Sequence, residues 1–271
     1  MKKIINWFLS GDCHCQVPSR LKKFRSEYPG AKPEETAIIF LGDVGFNVFQ
    51  DERDYNLKQA ASEFGYTLYC LRGNHELRAG QIDGIVWSYD EEVQGLIGTE
   101  PDFPLIHYFD DIIGQYTIDG LSIITFGGGY SVDKNYRLER GMFWNPEEQS
   151  TIAEMDLAAQ HINHFVPCDM ILSHIAPYRY RPTDLFLSMI DQNKVDNTME
   201  KWFQTYLDTK ITWHCMCFGH YHRDRLESPR VMQFYQSFMT LREIIDFWQE
   251  YDETGHLPNP YYEKSPNFYM E

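Results

Sequence analysis

Residues 66–76 read Tyr-Thr-Leu-Tyr-Cys-Leu-Arg-Gly-Asn-His-Glu, an apolar run that ends in a polar cluster. The run 66–71 is short and rich in aromatic and aliphatic residues, which predicts a buried β-strand. Gly73 permits a sharp turn directly after this strand. The turn would place Asn74 and His75 at the carboxyl end of the strand, where their side chains are available for chemistry.

The same pattern of strand and polar cluster recurs along the chain. Further apolar runs with strand character occupy residues 4–9, 36–41, 121–126, 170–172 and 213–218. Between the early strands, helical patterns occupy 19–28 and 52–64, and another follows at 198–207. Alternating strands and helices predict a layered α/β fold, in which ligands bind at the carboxyl ends of strands. We therefore expect the polar clusters to meet in space.

One longer helix is predicted to begin at Asn145. The sequence Asn-Pro-Glu-Glu at 145–148 supplies an N-cap, a proline at the first helical position and a glutamate at the third. The apolar residues that follow recur at helical spacing, namely Ile152, Met155, Ala159 and Ile162.

The chain organisation favours one domain over residues 1–271, because the sequence contains no repeat and no linker. Residues 83–120 lack a clear period, and we expect them to form an insertion with short elements of its own. Residues 242–271 begin as a helix and end as an acidic, aromatic tail.

Composition excludes several classes of protein. Apolar residues make up 43% of the 271 residues, which argues against general disorder. With 24 basic and 40 acidic residues, the net charge is −16, which disfavours binding to polymeric nucleic acid. No run approaches the ~18 apolar residues of a membrane span, and the apolar start lacks a cleavage site. The six cysteines do not form a disulfide framework, so we expect a cytoplasmic protein.

The polar clusters together contain a set of residues typical of a metal centre. Carboxylates, imidazoles and an amide oxygen are the ligands that first-row divalent metals accept. Each motif alone is weak evidence, since single Asp and His residues are common in turns. Their convergence at strand ends predicts a metal site formed by Asp12, His14, Asp43, Asn74, His75, His174, His220 and His222. A single carboxylate, Asp43, could bridge two ions.

The ordered motifs Asp12-x-His14, Gly42-Asp43, Gly73-Asn74-His75-Glu76, His174 and Gly219-His220-x-His222 resemble those of the calcineurin-like metallophosphoesterases. The resemblance implies a four-layer β-sandwich of two mixed sheets flanked by helices, with a dinuclear metal site at the carboxyl ends of strands. It assigns the first metal to Asp12, His14, Asp43 and His222. It assigns the second metal to Asp43, Asn74, His174 and His220.

The same resemblance implies hydrolysis of a phosphate ester, either a small molecule or a phosphopeptide. A hydroxide that bridges the two metals would attack phosphorus in line, and His75 would assist the leaving group. We expect manganese, with iron, zinc or nickel as alternatives. Other functions remain open: a nuclease or cyclic-nucleotide phosphodiesterase on the same site, or a non-catalytic binding protein. No membrane partner is expected, and the sequence leaves the oligomeric state open.

Three further features bear on the site. Cys15 stands where the family commonly has glycine, so a positive φ there would strain this residue. Arg72 and Arg137 are candidates for binding the substrate phosphate, since arginine can contact it through two nitrogens. Cys215 and Cys217 would lie on one face of a strand, where we expect them to pack as small hydrophobic residues.

Overall fold

The computed structural model describes residues 3–257, in which β-strands form two mixed sheets with helices on their outer faces. This arrangement confirms the predicted α/β fold of two mixed sheets flanked by helices. The strands in chain order are β1 (Asn6–Ser10), β2 (Thr36–Phe40), β3 (Thr67–Cys70), β4 (Val86–Asp90), β5 (Gly95–Thr99), β6 (Ile106–Tyr108), β7 (Ile113–Ile118), β8 (Leu121–Phe126), β9 (Cys168–Ser173), β10 (Trp213–Phe218), β11 (Arg225–Ser228), β12 (Val231–Gln233) and β13 (Met239–Thr240).

The first sheet has the order β13-β1-β2-β3-β6-β5-β4, and the second has the order β11-β12-β10-β9-β8-β7. Strands β1, β2, β3 and β6 run parallel, as do β8, β9, β10 and β12, while antiparallel strands form the edges. The parallel centres bring the carboxyl ends of successive strands to one edge of each sheet.

The helices are α1 (Val17–Glu27), α2 (Glu52–Ser62), α3 (Lys134–Glu139), α4 (Ile152–Ala159), α5 (Thr198–Lys210) and α6 (Leu241–Thr254). Helices α1 and α2 pack on the outer face of the first sheet. Helices α4 and α5 cover the outer face of the second sheet. The result is an arrangement of four layers, which buries both faces of the central strands of each sheet.

Side-chain alternation along the strands explains this layering. In β1, Trp7 and Leu9 enter the core between the sheets, whereas Phe8 packs outward against α1. In β10, Cys215 and Cys217 face the inner core while Met216 faces the helices. The two cysteines pack as small hydrophobic residues, as the sequence predicted.

The predicted helix start at Asn145 is wrong. Helix α4 begins at Ile152, and Thr151 caps it by accepting a hydrogen bond from the backbone N–H of Glu154. Asn145 instead donates from Nδ2 to the carbonyl of Glu76, and residues 146–151 form turns and irregular structure. Tertiary contacts of this segment therefore outweigh its local capping pattern.

Residues 83–120 supply β4, β5, β6 and β7, and thereby strands of both sheets. The helix predicted at the start of the tail is α6, whose apolar face packs into the core between the sheets. Residues 258–271, the rest of the predicted tail, lie outside the described residues. Within residues 3–257 no helix has the length and apolar content to cross a bilayer.

Candidate metal centre

Five strands deliver the candidate ligands to one edge of the two sheets. Each ligand follows its strand within four residues: Asp12 after β1, Asp43 after β2, Asn74 after β3, His174 after β9 and His220 after β10. The first three strands belong to the first sheet and the last two to the second. The polar clusters that were expected to meet are therefore brought together where the two sheets face each other.

Glycines in the motifs make this close approach possible. A Cβ atom at Gly73 would lie 2.0 Å from Oδ1 of Asp43, and one at Gly219 would lie 2.5 Å from Oδ1 of Asp12. Both distances are far below van der Waals contact, so any side chain at these positions would displace a carboxylate. The glycines of the Gly-Asn-His and Gly-His motifs are thus required by packing against the site.

Several candidate ligands have left-handed backbone conformations. The φ angles are 44° at His14, 48° at Asp43, 70° at His220 and 56° at His222. Cys15 also has a positive φ of 65°, which is the strained conformation considered from the sequence. Such conformations cost free energy for residues with a Cβ and concentrate at functional sites.

The first group of ligand atoms surrounds Asp12. Nε2 of His14 and Nε2 of His222 lie 2.7 Å apart. Oδ2 of Asp12 lies 3.7 Å from the first nitrogen and 3.3 Å from the second. Ligand atoms bound ~2.1 Å from one metal ion lie about 2.7 to 4 Å from one another, depending on the angle at the ion, so these spacings fit a shared ion.

The second group surrounds His174. Its Nε2 lies 2.8 Å from Oδ1 of Asn74, 3.2 Å from Nδ1 of His220 and 3.6 Å from Oδ2 of Asp43. Its Nδ1 donates to the carbonyl of Leu41 at 2.8 Å, which leaves the Nε2 lone pair directed at the site. Asn74 donates from Nδ2 to Oγ of Ser131, and this hydrogen bond orients its Oδ1 toward the same point.

Asp43 and His75 lie between the two groups. Oδ2 of Asp43 is 4.0 Å from Nδ1 of His14 and 3.8 Å from Nε2 of His75. Oδ1 of Asp43 accepts a hydrogen bond from the backbone N–H of His75 at 2.9 Å, which fixes the carboxylate in this position. Asp43 therefore lies close to ligand atoms of both groups, and the side chain of His75 borders them.

The histidines of the cluster differ in the direction in which their surroundings shift their pKa values. Burial lowers the pKa of His220 to about 3 and also lowers the pKa of His75. The Asp12 carboxylate beside His222 raises the pKa of that imidazole. For Asp43, burial acts to raise the pKa, but nearby imidazoles, His174 foremost, hold it well below its usual range.

A second observation also indicates that these side chains suit divalent ions. Oδ2 of Asp12 is completely buried and, among residues 3–257, receives no hydrogen bond. A buried carboxylate oxygen without a donor is costly, and a cation would satisfy it. Three sets of side chains have ligand atoms within 4.8 Å of one another: Asp12, His14 and His222; His14, Asp43 and His75; and Asp12, Asp43 and His174.

The two candidate substrate arginines have different positions. Arg72 is buried, and its guanidinium donates to the carbonyls of Asp111 and Glu148 and to Oγ of Ser150. These contacts fix the 145–150 segment, so the structure gives Arg72 a structural position and does not support substrate contact. Arg137 lines a cavity of about 680 Å³ together with His14 and His75, and so lies beside the site.

A second cavity of about 300 Å³ also has Asp43 and His75 in its wall. Its walls include Tyr130 and Ser131, from the loop that precedes helix α3, and residues of the segment 181–200. Sequence reasoning missed Ser131 as the partner of Asn74, and apart from the helix predicted from residue 198 it gave no role to the segment 181–200. The segment contains few regular elements and no motif, so no local signal could have identified it.

The family comparison decides the identity of this fold. The family model described as calcineurin-like phosphoesterase matches residues 8–224, which include every candidate ligand. The chain belongs to the calcineurin-like phosphoesterase family. Membership of this family implies metal-dependent hydrolysis of phosphate esters, and the Asp and His groups described above are able to bind the metals.

No curated protein matches this calcineurin-like chain. The phosphopantetheinyl hydrolase from Mycobacterium tuberculosis is 13% identical over 95% of this chain and 97% of its own, with a TM-score of 0.45. The protein TT1561 of Thermus thermophilus is 14% identical over 89% of this chain and 96% of its own, with a TM-score of 0.47.

Proposed function

We propose that this protein is a hydrolase of phosphate esters that uses two divalent metal ions. The observation that carries the proposal is the pair of ligand groups joined by Asp43, with spacings that fit two adjacent ions. When bound, the ions supply a water of lowered pKa as nucleophile and offset the charge of the phosphoryl oxygens. We propose manganese, with iron, zinc or nickel as alternatives, because the mixed oxygen and nitrogen donors accept all of them.

The proposed ligands divide as the two groups do. Asp12, His14, Asp43 and His222 would hold the first ion, and Asp43, Asn74, His174 and His220 would hold the second. The Leu41 carbonyl supports the role of His174 as a ligand, because it fixes the tautomer that leaves Nε2 free to bind an ion. The Ser131 hydroxyl supports the role of Asn74, because it orients the amide of that residue.

His75 is proposed as the general acid for the leaving group. Its imidazole borders both cavities, and its Nε2 lies 3.8 Å from Asp43 and 3.3 Å from Nδ2 of Asn74. A side chain in this position can meet the oxygen that leaves phosphorus, whichever cavity holds the attached group. An imidazole that donates a proton there stabilises the departing alkoxide.

A phosphodiesterase activity is a second candidate, favoured by the two cavities that meet at Asp43 and His75. A diester carries two organic groups on one phosphorus, and each cavity could receive one of them. The larger cavity carries Arg53 and Arg137, which suit an anionic group. The structure thus supports proposals for both ester classes, with a small molecule or phosphopeptide as substrate.

We further propose that the chain is one domain and acts in the cytoplasm. A single core between the sheets contains residues from Ile4 to Trp248, which supports the first proposal. The six cysteines are free, which suits a reducing compartment.

The test is hydrolysis of para-nitrophenyl phosphate and of its bis ester by manganese-loaded protein. Metal-free protein prepared with a chelator is the control. We expect metal-dependent turnover of at least one ester, and the ratio of the two rates assigns the ester class. Two bound ions with no turnover of either ester would contradict the proposal and favour a non-catalytic binding protein.

A further inference from the structure

The 300 Å³ cavity adjoins the metal centre directly. Asp43, Asn74, His75 and His220 form part of its wall, so a phosphoryl group at the proposed metals would project an attached group into it. Its volume is in the lower range of small-molecule sites, about 300 to 1,000 Å³. The cavity is therefore large enough for a compact organic group of the substrate.

Much of the remaining wall is apolar. Leu185, Phe186, Leu187, Ile190 and Val195 line the cavity, all from one irregular segment. Leu187 is 54% exposed and the neighbouring Met189 is 83% exposed, although both are large hydrophobic residues. Apolar side chains held at a cavity mouth gain free energy when an apolar group covers them.

A buried carboxylate interrupts this apolar wall. Glu200 lines the cavity and is only 5% exposed, and its Oε2 has no hydrogen-bond partner among the described residues. Burial raises the pKa of Glu200 to about 7. A hydrogen bond from its own backbone N–H and the charges of Arg181 and Lys201 oppose this rise, and the charge of Asp196 adds to it. A buried carboxylate oxygen without a donor costs free energy in this setting, so a donor from a ligand would be stabilised at Oε2.

The position of Glu200 in helix α5 does not explain why its Oε2 atom is buried without a hydrogen-bond partner. Glu200 is the third residue of this helix, where a glutamate commonly completes a reciprocal capping pair with the N-cap residue. Here the N-cap Asn197 makes no capping hydrogen bond, because its Oδ1 accepts from Nη1 of Arg181. The second guanidinium contact of Arg181, from Nε, goes to the carbonyl of Tyr178.

We propose that this cavity binds the organic group of the phosphate ester, and that Glu200 selects groups with an apolar body and a hydrogen-bond donor. The donor would be a hydroxyl, amide or amine, and the Oε2 atom of Glu200 would accept from it. This inference rests on the proposed phosphoesterase function. Glu200 touches the bound group and not the reacting atoms, so it determines specificity.

The test compares three aryl phosphates of nearly equal size: 3-ethylphenyl, 3-(hydroxymethyl)phenyl and 3-(aminomethyl)phenyl phosphate. We expect KM for the two donor-bearing esters to be about tenfold or more below that of the ethyl ester, because a hydrogen bond to a carboxylate is worth at least that factor. A contact remote from the reacting atoms is made equally in the ground and transition states, so kcat should differ little among the three.

Two variants at Glu200 separate its roles. Glu200→Leu removes the acceptor and should abolish the preference for donors, whereas Glu200→Gln keeps an acceptor and should retain a preference for the hydroxymethyl ester. Glu253→Leu, at an exposed position of α6, is the matched control and should keep the full preference. Thermal unfolding confirms that each variant is folded.

A binding measurement keeps this test independent of turnover. Calorimetry with the phenols alone, 3-(hydroxymethyl)phenol against 3-ethylphenol, should show the same preference and its loss in Glu200→Leu. Preferential binding without hydrolysis would uphold the cavity assignment and reject the proposed function. Hydrolysis with equal KM for the ethyl and hydroxymethyl esters, or an unchanged preference in Glu200→Leu, would overturn the assignment of Glu200.

Discussion

The change His75→Ala should slow hydrolysis selectively for esters with poor leaving groups. Nε2 of His75 lies 3.8 Å from the Asp43 carboxylate, and its side chain borders both cavities. Burial lowers the pKa of His75, and an arriving phosphate dianion raises it again by adding negative charge nearby. A protonated imidazole there contributes ~10²–10⁴ in rate, which corresponds to about 3 to 5 kcal/mol of the barrier.

The assay compares kcat for an alkyl phosphate and for para-nitrophenyl phosphate. Alkoxide needs a proton to leave, whereas para-nitrophenolate does not, so His75→Ala should lose about 10³-fold with the first and less than about tenfold with the second. His161→Ala, at an exposed position away from the site, is the matched control. Equal losses with both esters, or a loss explained by missing metal, would refute the general-acid role.

Three further predictions follow from the described contacts. Cys15→Gly should be more stable than Cys15→Ala by about 1 kcal/mol in chemical unfolding, because only glycine adopts the φ of 65° without strain; equal stabilities would contradict this. Arg72→Lys should lower the free energy of unfolding by about 3 kcal/mol and leave KM almost unchanged, because the guanidinium donates to buried carbonyls; a KM effect in stable protein would restore a substrate role. On dialysis from pH 8 to pH 5, the ion held by His222 should be lost before the ion held by His220, because the pKa of His222 is raised above the ordinary value near 6.5, whereas burial lowers the pKa of His220 to about 3. Elemental analysis measures this stepwise loss, and simultaneous loss of both ions would be inconsistent with the two sites.

The apolar runs of the sequence predicted central strands of both sheets, because those strands are buried on both faces. The runs 121–126 and 213–218 coincide with β8 and β10, and the others differ from their strands by at most two residues at either end. Apolar runs bounded by glycine are the signal that a doubly covered sheet produces. The same property explains why the clusters after the strands converge, since parallel strands end at a common edge.

Local helix signals were less reliable where tertiary contacts compete. The segment 145–148 carries a complete N-terminal pattern, yet the carbonyl of Glu148 accepts from the buried Arg72 and its side chain accepts from the backbone N–H of Ser131. These partners belong to segments far apart in sequence. A capping pattern describes only neighbours along the chain, so it does not contain this information.

The cavity residues illustrate a second limit of sequence reasoning. Glu200 appears in the sequence as an ordinary helical glutamate, but in the structure it is buried and shares a cavity wall with residues of the segment 181–195. The candidate metal ligands, in contrast, follow strands and share residue types that point to one chemistry. The candidate metal ligands were predictable from motifs, whereas the cavity proposed to bind the substrate emerges only from the packing of irregular segments.

The central claim is that Asp43 joins two metal ions in a catalytic centre. The most direct measurement is the number of metal ions per chain, determined together with para-nitrophenyl phosphate hydrolysis, for the wild type, Asp43→Asn and the exposed control Asp246→Asn. The account predicts two ions and turnover in the wild type and control, and reduced occupancy with at least ~10³-fold lower turnover in Asp43→Asn. Two retained ions and normal turnover in Asp43→Asn would contradict it.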